Sequence, residues 1–236
     1  AFDIFSVGDT VSAKDGGNFA GNVAMAGTLA VTGVSTLGAN LNVTGNVVSN
    51  DGSNNARFQF DNDNQILIQN DTAMSFYVNA SASLKIDSTG AVTMPLQPAF
   101  SVNKNGTNQD NMAQGAEVTI TFSTERFDNN ADFGSNTFTA PVTGKYFLSV
   151  SLMLAQIDTA ASFYYLTIAT SNKNYRAILD PLFTADLDYI TMTITVLADM
   201  DASDTAFIQF YQGGGTAQTD IDGNTEYSYF SGHLVC

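Results

Sequence analysis

Histidine and cysteine are the usual residues of catalytic triads, zinc sites and thiol chemistry, and each occurs once in this 236-residue chain, as His233 and Cys236. A Ser-His-Asp mechanism would have to use His233, and the chain has no Gly-x-Ser-x-Gly turn to expose a nucleophilic serine. A single cysteine excludes an intrachain disulfide and a cysteine-rich zinc site. We therefore predict no catalytic residues, and we expect His233 in a strand or at an interface between chains.

Carboxylates are the remaining groups with acid–base chemistry, and they recur at short spacing in three groups, Asp186/Asp188, Asp199/Asp201/Asp204 and Asp220/Asp222/Glu226. Paired carboxylates cleave glycosidic bonds, so a polysaccharide depolymerase is one candidate function. All three groups lie beside turn residues or at expected strand ends, where Asp accepts hydrogen bonds from the backbone. Depolymerase activity is therefore kept as the second alternative.

The same carboxylates are candidate ligands of Ca²⁺, which takes six to eight oxygen atoms. The segment Asp220–Asn224 resembles the beginning of a calcium loop but lacks the later ligands and the terminal glutamate. The candidates for a Ca²⁺ site are Asp199, Asp201, Asp220 and Asp222.

The charge balance limits the partners of the chain. Eight Lys and Arg residues stand against 23 Asp and Glu residues, which gives a net charge of −15. This excess repels nucleic-acid phosphates and anionic lipid surfaces. The sequence contains no run of about 18 apolar residues, the length that a helix needs to cross a bilayer. Its N-terminus has no basic region followed by an apolar one. We expect neither a nucleic-acid partner nor membrane insertion.

The elements that would position these side chains begin with a repeat. Residues 21–50 divide into units of six, GNVAMA, GTLAVT, GVSTLG, ANLNVT and GNVVSN, whose apolar and small residues alternate as in short strands. Such short strands cannot bury their apolar side chains within one chain, so we predict a stem of three chains around one axis. A monomeric parallel β-helix is the alternative, but it needs about 20 residues for each rung. The side chains expected to line the stem axis are Val23, Met25, Leu29, Val31, Leu37, Leu41, Val43 and Val47.

The stem continues as longer strands separated by polar turns up to Pro95 and Pro98, which cannot donate to a strand ladder. The phrases GTLAVTG, NLNVTGN and KIDSTGAVTMP in this region resemble the shafts of bacteriophage tail fibres. The sequence thus predicts three parts: an anchor at residues 1–20, a β-repeat stem at 21–97 and a head at 98–236. In the anchor, Phe2, Ile4, Phe5 and Val7 are expected to bind a viral adaptor, tail or capsid protein.

The head shows period-two strands separated by Asn, Asp and Gly turns, which predicts an antiparallel sandwich or jelly roll. In its last strand, Phe230 and Gly232 should point one way and His233 the other. Gly232 is expected to leave room for the ring of Phe147 or Tyr146.

Several head segments resemble the jelly-roll superfamily of the complement first component and tumour necrosis factor. They are PAFSV at 98–102, FDN at 127–129, FTAPVTGKYF at 138–147, DTAFIQF at 204–210 and SYFSGHLV at 228–235. The resemblance implies a ten-stranded, two-sheet jelly roll that trimerises and binds ligands through loops without being an enzyme. His233 departs from the apolar residue usual in the family, and the chain has no tryptophan.

Together these patterns predict an all-β homotrimer, a bacteriophage tail fibre made in the host cytoplasm and carried on the virion. Its head would adhere to a host surface glycan or protein. A trimeric capsid decoration, cement or head-fibre protein is the first alternative. Binding is expected in distal loops near residues 156–161, 172–175, 180–188 and 213–223, where 213–216 would be a flexible tip. The binding candidates are Tyr165, Asn172, Tyr175, Asp186, Asp188, Gly214 and Thr216.

Overall fold

A computed structural model of the chain describes residues 56–59, 64–69 and 72–236. The predicted anchor at Phe2–Val7 and the predicted stem core at Val23–Val47 lie outside the described residues. Within the described ranges the chain forms strands and one 3-10 turn, Asn129–Ala131. No helix in these ranges has the length and apolar character needed to span a bilayer.

The first five strands form an antiparallel sheet in sequence order, which we call the five-stranded sheet. Local side-chain chemistry forms the turn after Ile86, where Asp87 accepts hydrogen bonds from the backbone N–H groups of Thr89, at 2.8 Å, and Ala91, at 3.0 Å. The strands are β1 Ala56–Gln59, β2 Gln65–Gln69, β3 Ala73–Val78, β4 Ser81–Asp87 and β5 Val92–Thr93.

The remaining strands form the head, two antiparallel sheets that face each other. The strands are β6 Ala99–Asn103, β7 Glu117–Thr119, β8 Thr124–Asp128, β9 Phe133–Gly134, β10 Thr137–Thr139, β11 Gly144–Ile157, β12 Tyr164–Thr170, β13 Asn174–Leu179, β14 Leu187–Met200, β15 Thr205–Gln212, β16 Asp220–Ile221 and β17 Tyr229–Leu234. In one sheet, the β11 sheet, the order is β14-β11-β17-β6-β8 and β16 pairs with β11. In the other, the β12 sheet, the order is β13-β12-β15-β10-β9 and β7 pairs with β15.

This arrangement is an all-β, jelly-roll-like fold, as the sequence predicts. The predicted count of ten strands is not confirmed. Each sheet has six strands, because short pieces such as β9 and β16, of two residues each, pair beside the long strands.

The core lies between the two sheets and follows from strand alternation. Every second residue of β15 is buried, and Ala206, Ile208 and Phe210 are fully enclosed. Across the core, Phe100 in β6 of the β11 sheet stacks on Phe138 in β10 of the β12 sheet, with ring centroids 4.6 Å apart. Burying each such ring stabilises the fold by about 1.5–3 kcal/mol.

The last strand corrects one expectation. A side chain on Gly232 would meet Leu148 Cδ2 at 2.6 Å and Phe100 Cε1 at 2.8 Å, so these two residues use the space, rather than Phe147 or Tyr146. The reason is register: Gly232 lies opposite Leu148 in β11 and Phe100 in β6. Phe147 instead lies on the outer face, where its ring is 5.3 Å from that of the exposed His233.

Candidate binding surface

The entry of the chain defines the two ends of the head. The linker, residues 94–98, enters beside the end of β17, where the backbone N–H of Leu234 donates to Pro98 O at 3.0 Å. We call this the linker end, and the opposite end the distal end. At the distal end the register pairs Ile157 with Leu187, and Tyr164 with Gln212. Three of the four predicted binding loops, 156–161, 180–188 and 213–223, therefore meet at the distal end.

The fourth predicted loop, 172–175, lies at the linker end, so the prediction that Asn172 and Tyr175 belong to the distal loops is wrong. Asn172 Nδ2 donates to Asp199 O at 3.1 Å and to Asp204 Oδ2 at 2.8 Å. Tyr175 is half-buried against the core, with Lys173 Nζ 5.1 Å from its ring centre. The hairpin of β12 and β13 turns at this end because β12 begins at the distal end.

Asp158 holds the distal loops together. Its side chain is 2 % exposed and accepts hydrogen bonds from the backbone N–H groups of Ala160 and Ala217, both at 2.7 Å, and from that of Thr216. Burial alone would raise the pKa of Asp158, but these donors stabilise the carboxylate more strongly, so its pKa lies below the ordinary value of 3.8. The buried charge thus joins loop 156–161 to loop 213–223.

Further hydrogen bonds fix the loop that was predicted to be a flexible tip, residues 213–216. Gln212 Nε2 donates to Gly214 O at 3.0 Å and to Ala217 O at 2.7 Å. At Gly215 the backbone has φ +117°, which L side chains rarely adopt, and a side chain there would run into Asp158. Gly214 and Thr216 therefore belong to a bonded loop.

The predicted residues Asp186 and Asp188 have different surroundings. Asp186 Oδ1 accepts hydrogen bonds from Thr159, from the backbone N–H at 2.8 Å and from Oγ1 at 2.7 Å. Asp188 lies exposed near the start of β14. Asp186 thus supports the same loop 156–161, and the two carboxylates do not act as one pair.

Beside these loops, on the outer face of the β12 sheet, three rings lie nearly parallel. The ring of Tyr165 stacks on that of Tyr211, with centroids 4.6 Å apart and planes 4° apart. Phe163 adds a third ring, 5.6 Å from Tyr211, and 37 % of it is exposed. The backbone of Phe163 is held in place because the N–H of Gly213 donates a hydrogen bond to Phe163 O at 2.8 Å.

Two charged residues complete this group. The Arg176 guanidinium lies 4.6 Å from the centre of the Tyr165 ring, and its Nη2 lies 2.6 Å from Glu117 Oε1. Tyr165 Oη donates to the same oxygen at 3.0 Å. Burial and the hydrogen bond to Glu117 raise the pKa of Tyr165, so its hydroxyl stays protonated at neutral pH. We call this group, Phe163, Tyr165, Tyr211, Arg176 and Glu117, the aromatic patch.

Of the aromatic patch, sequence reasoning predicted only Tyr165. Tyr211 lies opposite Tyr165, and Glu117 lies opposite Tyr211, so the group depends on strand register. The available signal was the alternation in β12, β13 and β15, which identifies the outward residues but not their neighbours.

The carboxylates proposed for Ca²⁺ are not brought together. Asp199 lies opposite Lys145 near the beginning of β11 and ion-pairs with it, whereas Asp220 lies opposite Ala155 near its end. Ten residues of strand separate the two positions, about 33 Å. Asp201 and Asp222 follow their neighbours to the same two ends. In the part of the chain that the structure describes, no three His, Cys, Asp or Glu side chains are grouped to hold a metal ion.

A separate feature lies at the distal end, an open pocket of about 410 Å³ whose walls include Met153, Tyr189 and Asp222. Tyr189 is 63 % exposed. Two hydrogen bonds hold the polar wall of the pocket. The backbone N–H of Gly223 donates to Asn108 Oδ1 at 2.8 Å, and that of Asn224 donates to Asp222 Oδ1 at 2.7 Å. The distal end therefore offers an aromatic patch and a polar pocket, both on bonded frameworks.

Comparison with known proteins gives a family match for the head. Residues 99–235 match the model of the C1q domain. The globular domain of the zebrafish complement 1qA protein is 17% identical, with 59% of this chain and 98% of that chain covered and a TM-score of 0.42. Murine APRIL, in a structure at pH 8.0, is 7% identical, with 59% and 99% covered and a TM-score of 0.44. No curated protein matches the chain.

Proposed function

Because the chain belongs to the C1q domain family, we propose that it is a non-enzymatic binding protein. The proposal extends to the homotrimeric tail fibre of a bacteriophage, whose head adheres to the host cell surface. The resemblance of residues 21–95 to tail-fibre shafts supports a place on the virion tail. The partners would be two identical chains, a viral adaptor, tail or capsid protein at the N-terminus, and a host surface glycan or protein.

One observation carries the adhesive role: the aromatic patch lies beside a bonded loop cluster, towards the end of the head farthest from the linker. Tyrosine and arginine dominate the energetics of many binding interfaces because they offer large, rigid surface and several donors. A framework already held by Asp158 and Gln212 loses little conformational entropy on binding.

The outer face of the β11 sheet supports the trimer. This face exposes Phe147 at 37 %, Leu197 at 58 % and the ring of His233 among small hydroxyl side chains such as Ser149 and Thr195. In β11 and β14 the charges nearest to Phe147 and Leu197, those of Lys145 and Asp199, pair with each other, so a second sheet can approach here without meeting an unpaired charge. Three heads on one fibre, and several fibres on one particle, would turn weak contacts into firm adhesion.

The test is competition for adsorption. Purified protein is added to host cells at saturating concentration, and the virus is added afterwards. We expect virus adsorption to fall at least tenfold; unchanged adsorption would contradict the adhesive role and leave capsid decoration as the better interpretation. Incubation with host polysaccharide should produce no shorter oligomers.

Two matched variants locate the surface. Arg176→Ala removes a cation from the ring of Tyr165 in the aromatic patch, and Lys173→Ala removes a cation from the ring of Tyr175 at the linker end. We expect Arg176→Ala to weaken competition at least tenfold and Lys173→Ala to leave it within twofold. Equal effects would place the binding surface elsewhere on the head.

A further inference from the structure

One face of the five-stranded sheet consists of apolar side chains. Residues directly opposite each other in an antiparallel pair share a face, as do residues two apart along a strand. The register places Phe58 opposite Ile66, Ile66 opposite Phe76, and Phe76 opposite Leu84. The next row on this face is Ile68, Met74, Ile86 and Val92. We call these two rows the apolar face.

This apolar face is open, whereas the centre of the opposite face is buried. On the apolar face, Phe58 is 45 % exposed and Val92 is 60 % exposed. On the opposite face, Leu67 and Ala73 are each 7 % exposed and Ser75 is 1 % exposed. Five strands of about five residues make a face of about 400 Å². Exposed apolar patches of this size often mark an interaction site.

Electrostatics favours a partner of the same sequence at this face. Every chain carries a net charge of −15, so copies of the chain repel each other wherever their charged surfaces approach. None of the eight residues of the apolar face is charged. It is therefore a surface through which several copies can meet without opposing charges.

The linker strengthens this preference. Gln97 Nε2 donates to Leu234 O at 3.1 Å, and Asn129 Nδ2 donates to Gln97 O at 3.2 Å, so the end of the linker is fixed to the head. Only five residues lead from Thr93 to Pro98, a reach of about 17 Å. If three heads associate, their five-stranded sheets are held at an effective concentration in the millimolar range, which an unrelated partner does not reach.

We propose that the apolar face packs against the apolar faces of two other copies of the chain, so that three five-stranded sheets close into a three-sided stem below the heads. This inference rests on the proposed homotrimer. It assigns the contact to whole antiparallel sheets within residues 56–93, in addition to the short repeats predicted further towards the N-terminus.

Cysteine cross-linking tests the arrangement in the full chain. The exposed Cys236 is first replaced in a Cys236→Ser background. Phe76→Cys then places a thiol on the apolar face of the central strand, and the matched Lys85→Cys places one on the opposite face of the neighbouring strand. Under mild oxidation we expect Phe76→Cys to form at least ten times more covalent dimer than Lys85→Cys.

A second pair protects the test against a folding defect at Phe76. Val92 and Thr93 are adjacent and exposed, and they lie on opposite faces of β5; Val92→Cys should cross-link and Thr93→Cys should not. Trimer mass by light scattering without selective cross-linking in either pair would overturn the inference and leave the homotrimer intact. A folded protein of single-chain mass would overturn both. Neither result bears on adhesion, which the adsorption assay measures separately.

Discussion

The head and the five-stranded sheet are both antiparallel β structures, yet they hide their apolar side chains differently. The head folds two sheets onto each other, so that the rings of Phe100 and Phe138 are 1 % and 0 % exposed. The five-stranded sheet keeps Phe58 and Phe76 on an open face, 45 % and 38 % exposed. Alternation alone makes a sheet amphipathic, whereas a second layer decides whether a single chain can bury the apolar face of that sheet.

The largest expected effect comes from emptying the core of the head. Phe100→Ala removes a ring that contacts Phe133, Phe138 and Phe230, and we expect the free energy of unfolding to fall by about 3–5 kcal/mol. Phe76→Ala, on the open face, should change the unfolding of the head by less than about 0.5 kcal/mol. Urea titrations followed by circular dichroism would measure both. Equal losses would contradict this contrast between an enclosed core and an open face.

A second prediction concerns a charge enclosed in the head. Lys104 is 2 % exposed, and its Nζ donates to Thr121 O at 3.0 Å. Burial lowers the pKa of Lys104 to about 8, against the opposing attraction of Asp110. Between about pH 8 and the ordinary value of 10.5 the unfolded chain binds the proton more tightly, so the stability of the head should rise with pH.

The measurement is the difference between the native protein and Lys104→Met across this range. We expect the native protein to gain up to about 3 kcal/mol relative to the variant between pH 8 and pH 10.5. The comparison cancels the titration of tyrosines, which both proteins share. A flat difference curve would show that Lys104 is not enclosed, and the head would resemble the open sheet in this respect.

The smallest expected effect belongs to the distal loops. Asp158→Asn weakens the hydrogen bonds to Ala160, Thr216 and Ala217, and should cost about 1–2 kcal/mol at pH 7. Because the pKa of Asp158 is lowered in the folded state, the carboxylate contribution is complete above its ordinary value of 3.8 and is lost as the pH falls below it. The difference between native and variant stability should therefore shrink in acid. A pH-independent difference would point to packing rather than charge.

Prediction from sequence succeeded where a pattern is local. The period-two strands of the head and the polar turns between the strands of the stem are properties of neighbouring residues, and they correspond to observed features such as β15 and the turn after β4. Prediction failed where the question was which end of a strand a loop reaches. Asn172 was grouped with loops that lie at the other end of the head, because each reversal of the chain exchanges the two ends.

The binding candidates divide in the same way. Tyr165 could be identified as an outward-facing residue of a strand. That Tyr211 and Arg176 are its neighbours could not be predicted, since they come from two other strands. Asp158 lies in the predicted binding loop 156–161, but its role in joining two loops was not predicted. Its role depends on loop 213–223, more than 50 residues away, whose N–H groups point at its carboxylate.

The sequence by itself determined that the head consists of β-strands and has the signature of a jelly roll, and it supplied one histidine and one cysteine. These properties depend on residue types and on spacing within a single strand. The tertiary structure alone decided which rings stack, which carboxylate is enclosed and which face of the five-stranded sheet is left open. Those outcomes are set by register and layering, and contacts between residues distant in the chain form only when the strands pair.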